Sequence, residues 1–246
     1  MRDAAHALAL VFFIWSLLAS ASSIAQTLRL DASAAALFSL LAPAVVLLAA
    51  RSYRRDRRAT AAGALLGLGL VCGFASYPAW IAMMASVGFG LGIEPVASAP
   101  PQAGGPALWT ATVLLAPVFE EVLYRERLLS ALRPVMGSGF AIAATSVLFA
   151  IPHLEPWRVL VTWLVGLALG GAMCASGSLA LCIGIHMGLN LASWACGIPP
   201  VRMALSPETA ALAGIVGLAA GIALARRTHP RSPPQPDPRS IEAFPA

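Results

Sequence analysis

Polar and ionisable side chains interrupt three otherwise apolar stretches of this sequence, namely PVFEEVLYRER, LFAIPHLEP and IGIHMGLNLASW. Their polar members are Glu120, Glu121, Arg125, His153, His186 and Asn190. A charged side chain at membrane depth costs about 2.5–3.5 kcal/mol, so such groups need a partner or a task. Carboxylates and imidazoles can act as acids and bases near neutral pH. Imidazole and carboxamide N–H groups can stabilise an oxyanion, so the three stretches together could supply a base and an oxyanion site.

The two adjacent glutamates are predicted to have different roles. Neighbouring residues on a helix point about 100° apart, whereas residues four apart share a face. Glu121 and Arg125 therefore form the predicted ion pair, which would brace the site. Glu120 lacks that cation and is the better candidate for a catalytic base.

The two histidines also stand at helical spacings. His186 and Asn190 are four residues apart, so an imidazole and a carboxamide share one face and could stabilise an oxyanion. Phe149 and His153 have the same spacing, which places an aromatic ring beside the second imidazole. If their helices enter the membrane from opposite sides, Glu120 and His153 lie at ~21 Å and ~22 Å depth. We expect Glu120, His153 and His186 to converge in one pocket within the bilayer.

The elements that hold these groups are too apolar for a water-soluble globule. Apolar residues make up 59% of the 246 residues and charged residues only 11%, less than half of the usual ~25%. The net charge of +5 comes from a chain without Lys, whose 16 Arg lie between long apolar stretches. This composition excludes a disordered chain and a nucleic-acid-binding domain, and it predicts a polytopic membrane protein.

Eight apolar segments approach the roughly 20 residues that cross a bilayer. They are Ala7–Thr27, Ala32–Ala50, Ala59–Gly88, Pro106–Arg133, Ser138–Leu154, Trp157–Ser176, Ser178–Ile198 and Pro207–Ala225. The predicted fold is therefore all-α, with about eight transmembrane helices and an active site within the bundle. The third segment is long and contains Pro78, so a kinked span or a span with an interfacial piece is expected there.

Arginine placement predicts the orientation of these spans. With eight spans, most Arg fall on the side of the N-terminus, including the cluster between Arg51 and Arg58. By the positive-inside rule both termini are then cytoplasmic. The first segment also resembles a signal peptide with a small-residue cleavage site, Ala19-Ser20-Ala21. An uncleaved helix is favoured because seven further spans follow.

Four regions follow from this division of the chain. Residues 1–105 contain the N-terminal transmembrane helices and an outer loop, and residues 106–198 contain the helical core with the polar motifs. Residues 199–227 contain the last transmembrane helix. Residues 228–246 hold six of the prolines and are expected to form a disordered cytoplasmic tail.

The three motifs closely resemble those of the CPBP family of intramembrane proteases, also called the Abi or CAAX-processing family. The family pattern EExxxR is present as Glu120-Glu121-Val122-Leu123-Tyr124-Arg125, FxxxH as Phe149 to His153, and HxxxN or HxxxD as His186 to Asn190. All three stand in the family order, each in its own apolar segment. The resemblance covers about a third of the chain, from Leu108 to Trp194.

The resemblance implies hydrolysis of a peptide bond within the membrane. The residue matching Glu120 would activate water with help from that matching His153, and those matching His186 and Asn190 would stabilise the tetrahedral intermediate. No cofactor is then required. The family has also been described as metalloproteases, and Glu120, His153 and His186 could form a zinc site with an open position. The HExxH helix of common zinc proteases is absent from this sequence.

Two other functions are consistent with the same residues. One is transport or binding at a polar membrane site, although the paired broken spans typical of transporters are not evident. The other is immunity against a peptide toxin, with or without cleavage. The expected partners are the lipid bilayer and a membrane-associated protein or peptide, and the Arg-only, Ala-rich composition suggests a bacterial inner membrane. A bacterial membrane-anchored protein is favoured as substrate over a prenylated one. The sequence does not indicate an oligomeric state.

Overall fold

The computed structural model describes residues Ala4, Ala5, Leu8, Ala9, 59–93 and 105–196. The predicted first span, apart from Leu8 and Ala9, lies outside the described residues. So do the second and eighth spans, the arginine cluster and the Pro-rich tail.

Helices make up nearly all of the described chain, and no strand occurs in those ranges. The elements are α1 (Ala59–Gly90), α2 (Gly105–Trp109), the π-helix π1 (Thr110–Leu115), α3 (Ala116–Glu121), the π-helix π2 (Val122–Leu129), α4 (Ser130–Ala150), a 3₁₀ turn (Ile151–His153), α5 (Pro156–Ser176) and α6 (Leu179–Cys196). The predicted all-α class is confirmed. The third predicted span is a single helix of 32 residues that runs through position 78.

A break within α4 separates the predicted fourth and fifth spans. Gly137 has φ 78° and ψ 164°, which is outside the helical region and accessible to glycine. Pro134 lies three residues earlier and weakens the same stretch. The helical rod that begins at Gly105 therefore changes direction at the position where the sequence predicts a connection between two spans.

Two helical segments are long and apolar enough to cross a membrane by length and composition. They are Gly105–His153, with 49 residues and a mean hydropathy of 1.7, and Pro156–Ser176, with 21 residues and a mean hydropathy of 1.9. At about 1.5 Å per residue, 21 residues span the ~30 Å hydrocarbon core. Ala62–Tyr77 and Leu179–Ala195 are shorter apolar helical stretches. The described helices fit a helical membrane protein.

Helices α1 and α6 pack backbone against backbone along a seam of glycines. This glycine seam comprises Gly69, Gly73, Gly184 and Gly188. A Cβ atom on Gly73 would collide with the backbone of Ile185, and one on Gly188 would collide with the backbone of Leu70. Because only glycine allows so close an approach, the seam fixes the helix that carries His186 against α1.

A second close contact brings α5 against α4. A Cβ atom on Gly166 would lie 3.0 Å from the Cβ atom of Ser146 and 3.2 Å from the ring of Phe149. The N-terminus of α5 is capped by Glu155, whose carboxylate accepts hydrogen bonds from the backbone N–H groups of Trp157 and Arg158 at 2.9 Å. This cap begins α5 directly after the turn that carries His153.

Candidate active site

Glu120 and Glu121 end helix α3, between the two π-helical segments. Their side chains diverge, as neighbouring positions on a helix must. The Glu121 side chain is fully buried, with 0% exposed, whereas that of Glu120 is 22% exposed. Of the two, Glu120 is the carboxylate that a water molecule can reach.

A buried ion pair joins Glu121 to Arg125. The Nε atom of Arg125 lies 3.2 Å from Oε2 of Glu121, and both side chains are buried. The two atoms are close enough for an ion pair but are not aligned as a hydrogen bond. The structure therefore places Glu121 beside the cation that the helical spacing predicts for it.

Two further contacts fix the Arg125 guanidinium. Its Nη2 atom donates a hydrogen bond to the backbone carbonyl of Gly166 at 3.1 Å. Its Cζ atom lies 4.7 Å from the centre of the Phe149 ring, a cation–π distance. Arg125 thus connects π2 to both α4 and α5.

His186 lies between the two glutamates. Its Nδ1 atom is 3.0 Å from Oε1 of Glu121, and its Nε2 atom is 3.6 Å from Oε2 of Glu120. Since an ionised carboxylate only accepts hydrogen bonds, Nδ1 carries the proton and donates it to Glu121. Glu121 therefore orients the ring so that Nε2 faces Glu120.

His153 reaches this group through Phe149. The Phe149 ring lies edge-on to both imidazoles, with centroids 6.0 Å from His153 and 5.7 Å from His186. Nδ1 of His153 lies 3.3 Å from the carbonyl oxygen of Ala150 and donates to it when protonated. The structure brings Glu120 and His186 within 3.6 Å of each other and packs both imidazoles against the Phe149 ring.

Asn190 is held by a backbone carbonyl of π1. Its Nδ2 atom donates a hydrogen bond of 2.8 Å to the carbonyl oxygen of Thr112. The Thr112 hydroxyl accepts a second bond, of 2.9 Å, from the indole Nε1 of Trp194. One side-chain amide N–H of Asn190 is therefore already used in a structural contact.

The site residues predicted from the sequence do not include Thr112, Trp194 or Gly166. A signal for Trp194 was present, because it stands eight residues after His186 and four after Asn190, on the same helical face. Gly166 takes part through its backbone carbonyl, which any residue type provides, and Thr112 through both its backbone carbonyl and its hydroxyl. Their sequence positions alone could not indicate these contacts.

The arrangement of these side chains does not favour a metal site. Among residues 59–93 and 105–196, no group of three or more His, Cys, Asp or Glu side chains is placed so as to hold a metal ion. As placed here, Glu120, His153 and His186 are thus not grouped as the three ligands of the zinc site considered from the sequence.

A buried set of carboxylates and imidazoles within apolar helices fits a helical membrane protein with a polar site between its helices. Residues 102–192 match the family model described as type II CAAX prenyl endopeptidase, Rce1-like. The resemblance to the CAAX protease family that the three motifs predict is confirmed by this match. No curated protein and no solved structure matches the chain.

The match covers all three motifs. It supports a CAAX endopeptidase, that is, a peptide hydrolase acting on membrane-associated proteins, and an integral membrane location. The segment matched begins just before α2 and ends within α6, so α1 lies outside it. The helix that locks α6 through the glycine seam is therefore not part of the matched segment.

Proposed function

We propose that this protein is an intramembrane endopeptidase in which Glu120 activates the attacking water. The observation that carries the proposal is the contact of His186 with both glutamates, Glu121 holding Nδ1 and Glu120 facing Nε2. Buried charges are costly in a membrane, and their convergence around a partly exposed carboxylate supports a catalytic use.

The proposed reaction follows from the position of each group. Glu120 accepts a proton from water, and the water oxygen attacks the carbonyl carbon of the peptide bond. His153, which packs against the same Phe149 ring as His186, helps to hold the water. The carbonyl oxygen becomes an oxyanion, which accepts hydrogen bonds from protonated His186 and from Asn190. When the C–N bond breaks, the proton held by Glu120 passes to the leaving amine.

Glu121 and Arg125 support this chemistry without contacting the substrate. Glu121 holds the Nδ1–H group of His186, and Arg125 balances the charge of Glu121 at 3.2 Å. Phe149 packs against the guanidinium and both imidazoles. The three side chains fix the orientation of His186 before the substrate arrives. No step in this mechanism requires a metal ion.

The proposed substrate is a membrane-anchored bacterial protein or a small peptide, cut at or within the bilayer of the inner membrane. Both termini of the protease are proposed to be cytoplasmic, following the arginine distribution along the sequence. Reporter fusions at each terminus, one active only in the cytoplasm and one only outside it, test this orientation. A reporter that is active only outside at either end would contradict it.

A comparison of membrane proteomes tests the function. Cells lacking this protein and cells carrying only Glu120→Gln should accumulate the same uncut precursors, which disappear when the wild-type chain is restored. Glu120→Gln keeps the size of the side chain and removes its capacity to accept a proton, so folding and membrane insertion should be retained. We expect a loss of cleavage of at least 10²-fold. Normal processing by Glu120→Gln, or accumulation of no precursor in either strain, would overturn the proposal.

A further inference from the structure

The backbone carbonyl of Thr112 lacks the hydrogen-bond donor that a regular helix would give it. At the α-helical spacing its donor would be the N–H group of Ala116, but this group donates to the carbonyl of Ala111 instead. At the π-helical spacing its donor would be residue 117, which is a proline and has no N–H group. The π1 segment therefore presents an orphan carbonyl oxygen at Thr112.

Asn190 supplies the missing donor from α6. Its Nδ2 atom lies 2.8 Å from the backbone carbonyl oxygen of Thr112, although the two residues are 78 positions apart in sequence. A buried carbonyl without a donor costs about 1–3 kcal/mol, so this bond satisfies an existing need of the fold. Since the carbonyl can only accept, the orientation of the Asn190 carboxamide is determined, with nitrogen toward Thr112.

The side chain of Thr112 is fixed by a second bond from the same face of α6. Its hydroxyl donates to the Leu108 carbonyl at 2.8 Å and accepts from the Trp194 indole at 2.9 Å. His186, Asn190 and Trp194 are successive residues four apart along α6. One turn of π1 thus holds two of these three side chains, while the third contacts the glutamates.

We propose that Thr112, held by the Trp194 indole, is a positioning residue that fixes the Asn190 carboxamide beside His186, and that position 190 accepts Asn but not Asp in this chain. The catalytic consequence rests on the proposed function, since it matters only if Asn190 contacts the reacting oxygen. The preference for Asn has a direct cause. An ionised Asp at this position would place an acceptor against the orphan carbonyl, and neither group could donate.

Nuclear magnetic resonance of the full chain in lipid nanodiscs, labelled with ¹⁵N-tryptophan, tests the geometry without any substrate. The chain has 6 Trp residues, and Trp194→Phe assigns the indole resonance of Trp194 by its disappearance. Thr112→Val removes the hydroxyl acceptor and should move that resonance upfield, while Thr112→Ser should restore its position. Thr110→Val is the matched control, because the Thr110 hydroxyl donates to Pro106 on an exposed face. A Trp194 resonance unchanged by Thr112→Val would overturn the positioning claim.

Kinetics on the precursor found by the proteome comparison test the catalytic part. Thr112→Val and Trp194→Phe should each lower kcat about two- to tenfold with KM little changed, as expected for one lost neutral hydrogen bond. Because both remove the same bond, the double variant should be no slower than the slower single variant. Trp163→Phe is the control, since the Trp163 indole has no hydrogen-bond partner among the described residues, and its kcat should not change.

The variants Asn190→Asp and Asn190→Ala test the claim that position 190 accepts Asn but not Asp. Both should lower kcat by about 10²-fold or more, as for loss of an oxyanion donor. Near-normal cleavage by Asn190→Asp would overturn the claimed preference for Asn. Cleavage by wild type that is insensitive to Glu120→Gln would instead defeat the proposed function, while the resonance experiment would still decide the Thr112–Trp194 contact.

Discussion

The Nδ1 atom of His186 lies 3.0 Å from Oε1 of Glu121, although the two residues belong to different helices and are 65 positions apart in sequence. The contact gives Glu121 two partners, because its other oxygen pairs with Arg125. Glu121 therefore holds the imidazole on one side and is itself held by a cation on the other. The more exposed Glu120 faces the remaining nitrogen of the ring. The division of roles between the two adjacent glutamates rests on this arrangement.

Removing the cation should destabilise the protein more than removing the whole pair. Arg125→Met leaves the Glu121 carboxylate buried without its cation, and we expect a loss of about 3–5 kcal/mol in the free energy of unfolding. The double variant Glu121→Gln with Arg125→Met should recover part of this loss, since no uncompensated charge remains. Denaturant unfolding of the purified protein in detergent measures both. Equal stability of the single and double variants would show that the pair is not the source of the effect.

Phe149 should be more sensitive to truncation than an exposed phenylalanine on the same helix. Its ring is 2% exposed and contacts Arg125, His153 and His186. We expect Phe149→Ala to cost about 3–5 kcal/mol and to reduce cleavage by loosening both imidazoles. Phe140→Ala is the control, because that ring is 76% exposed, and its unfolding curve should stay close to wild type. Similar losses for the two variants would contradict the central packing role of Phe149.

Adding a methyl group should reduce folding far more at a glycine of the seam than at another helical glycine. Gly188→Ala would drive a Cβ atom into the backbone of Leu70, and the helices would have to move apart. We expect strongly reduced amounts of folded protein and loss of cleavage. Gly171→Ala is the matched control in α5, where no atom lies within 4 Å of the added carbon. It should be neutral or stabilising by up to about 1 kcal/mol. Both variants are compared by detergent-resistant yield and thermal unfolding.

Metal removal should leave cleavage unchanged. The proposed mechanism uses a water activated by Glu120 and assigns no step to a metal ion. Protein treated with a strong zinc chelator should retain its rate, with a zinc metalloprotease treated in parallel as control. Elemental analysis of the active preparation supplies the second measurement. Stoichiometric zinc, with cleavage lost on its removal and restored on its return, would require a metal mechanism.

Contacts within one helix could be predicted from the sequence. The spacing of Glu121 and Arg125 predicts their pairing, and the structure contains it. The weak stretch between Arg133 and Ser138 predicts a connection between two spans, and the helix breaks there at Gly137. Both inferences depend only on local geometry, which the order of residues determines.

The motifs led us to expect Glu120 and His186 in one pocket, where they lie 3.6 Å apart, but the detailed contacts between helices could not be predicted from the sequence. The spacing gave no reason to pair His186 with Glu121 rather than Glu120 alone, because their relation depends on how α6 packs against α3. The contact of Asn190 with Thr112 depends on a π-helical turn, whose formation reflects Pro117 and the packing around it together. Spacing indicates which side chains share a face, but not which face of another helix they meet.

The glycine seam limits how a polypeptide can approach Glu120. At the glycine seam the main chains of α1 and α6 touch without intervening side chains, so an extended strand has no room to thread between the two helices there. Opening that side would separate backbones over two helical turns and displace the imidazole at position 186 at the same time. A peptide must therefore reach the carboxylate by a route that leaves this pair of helices closed.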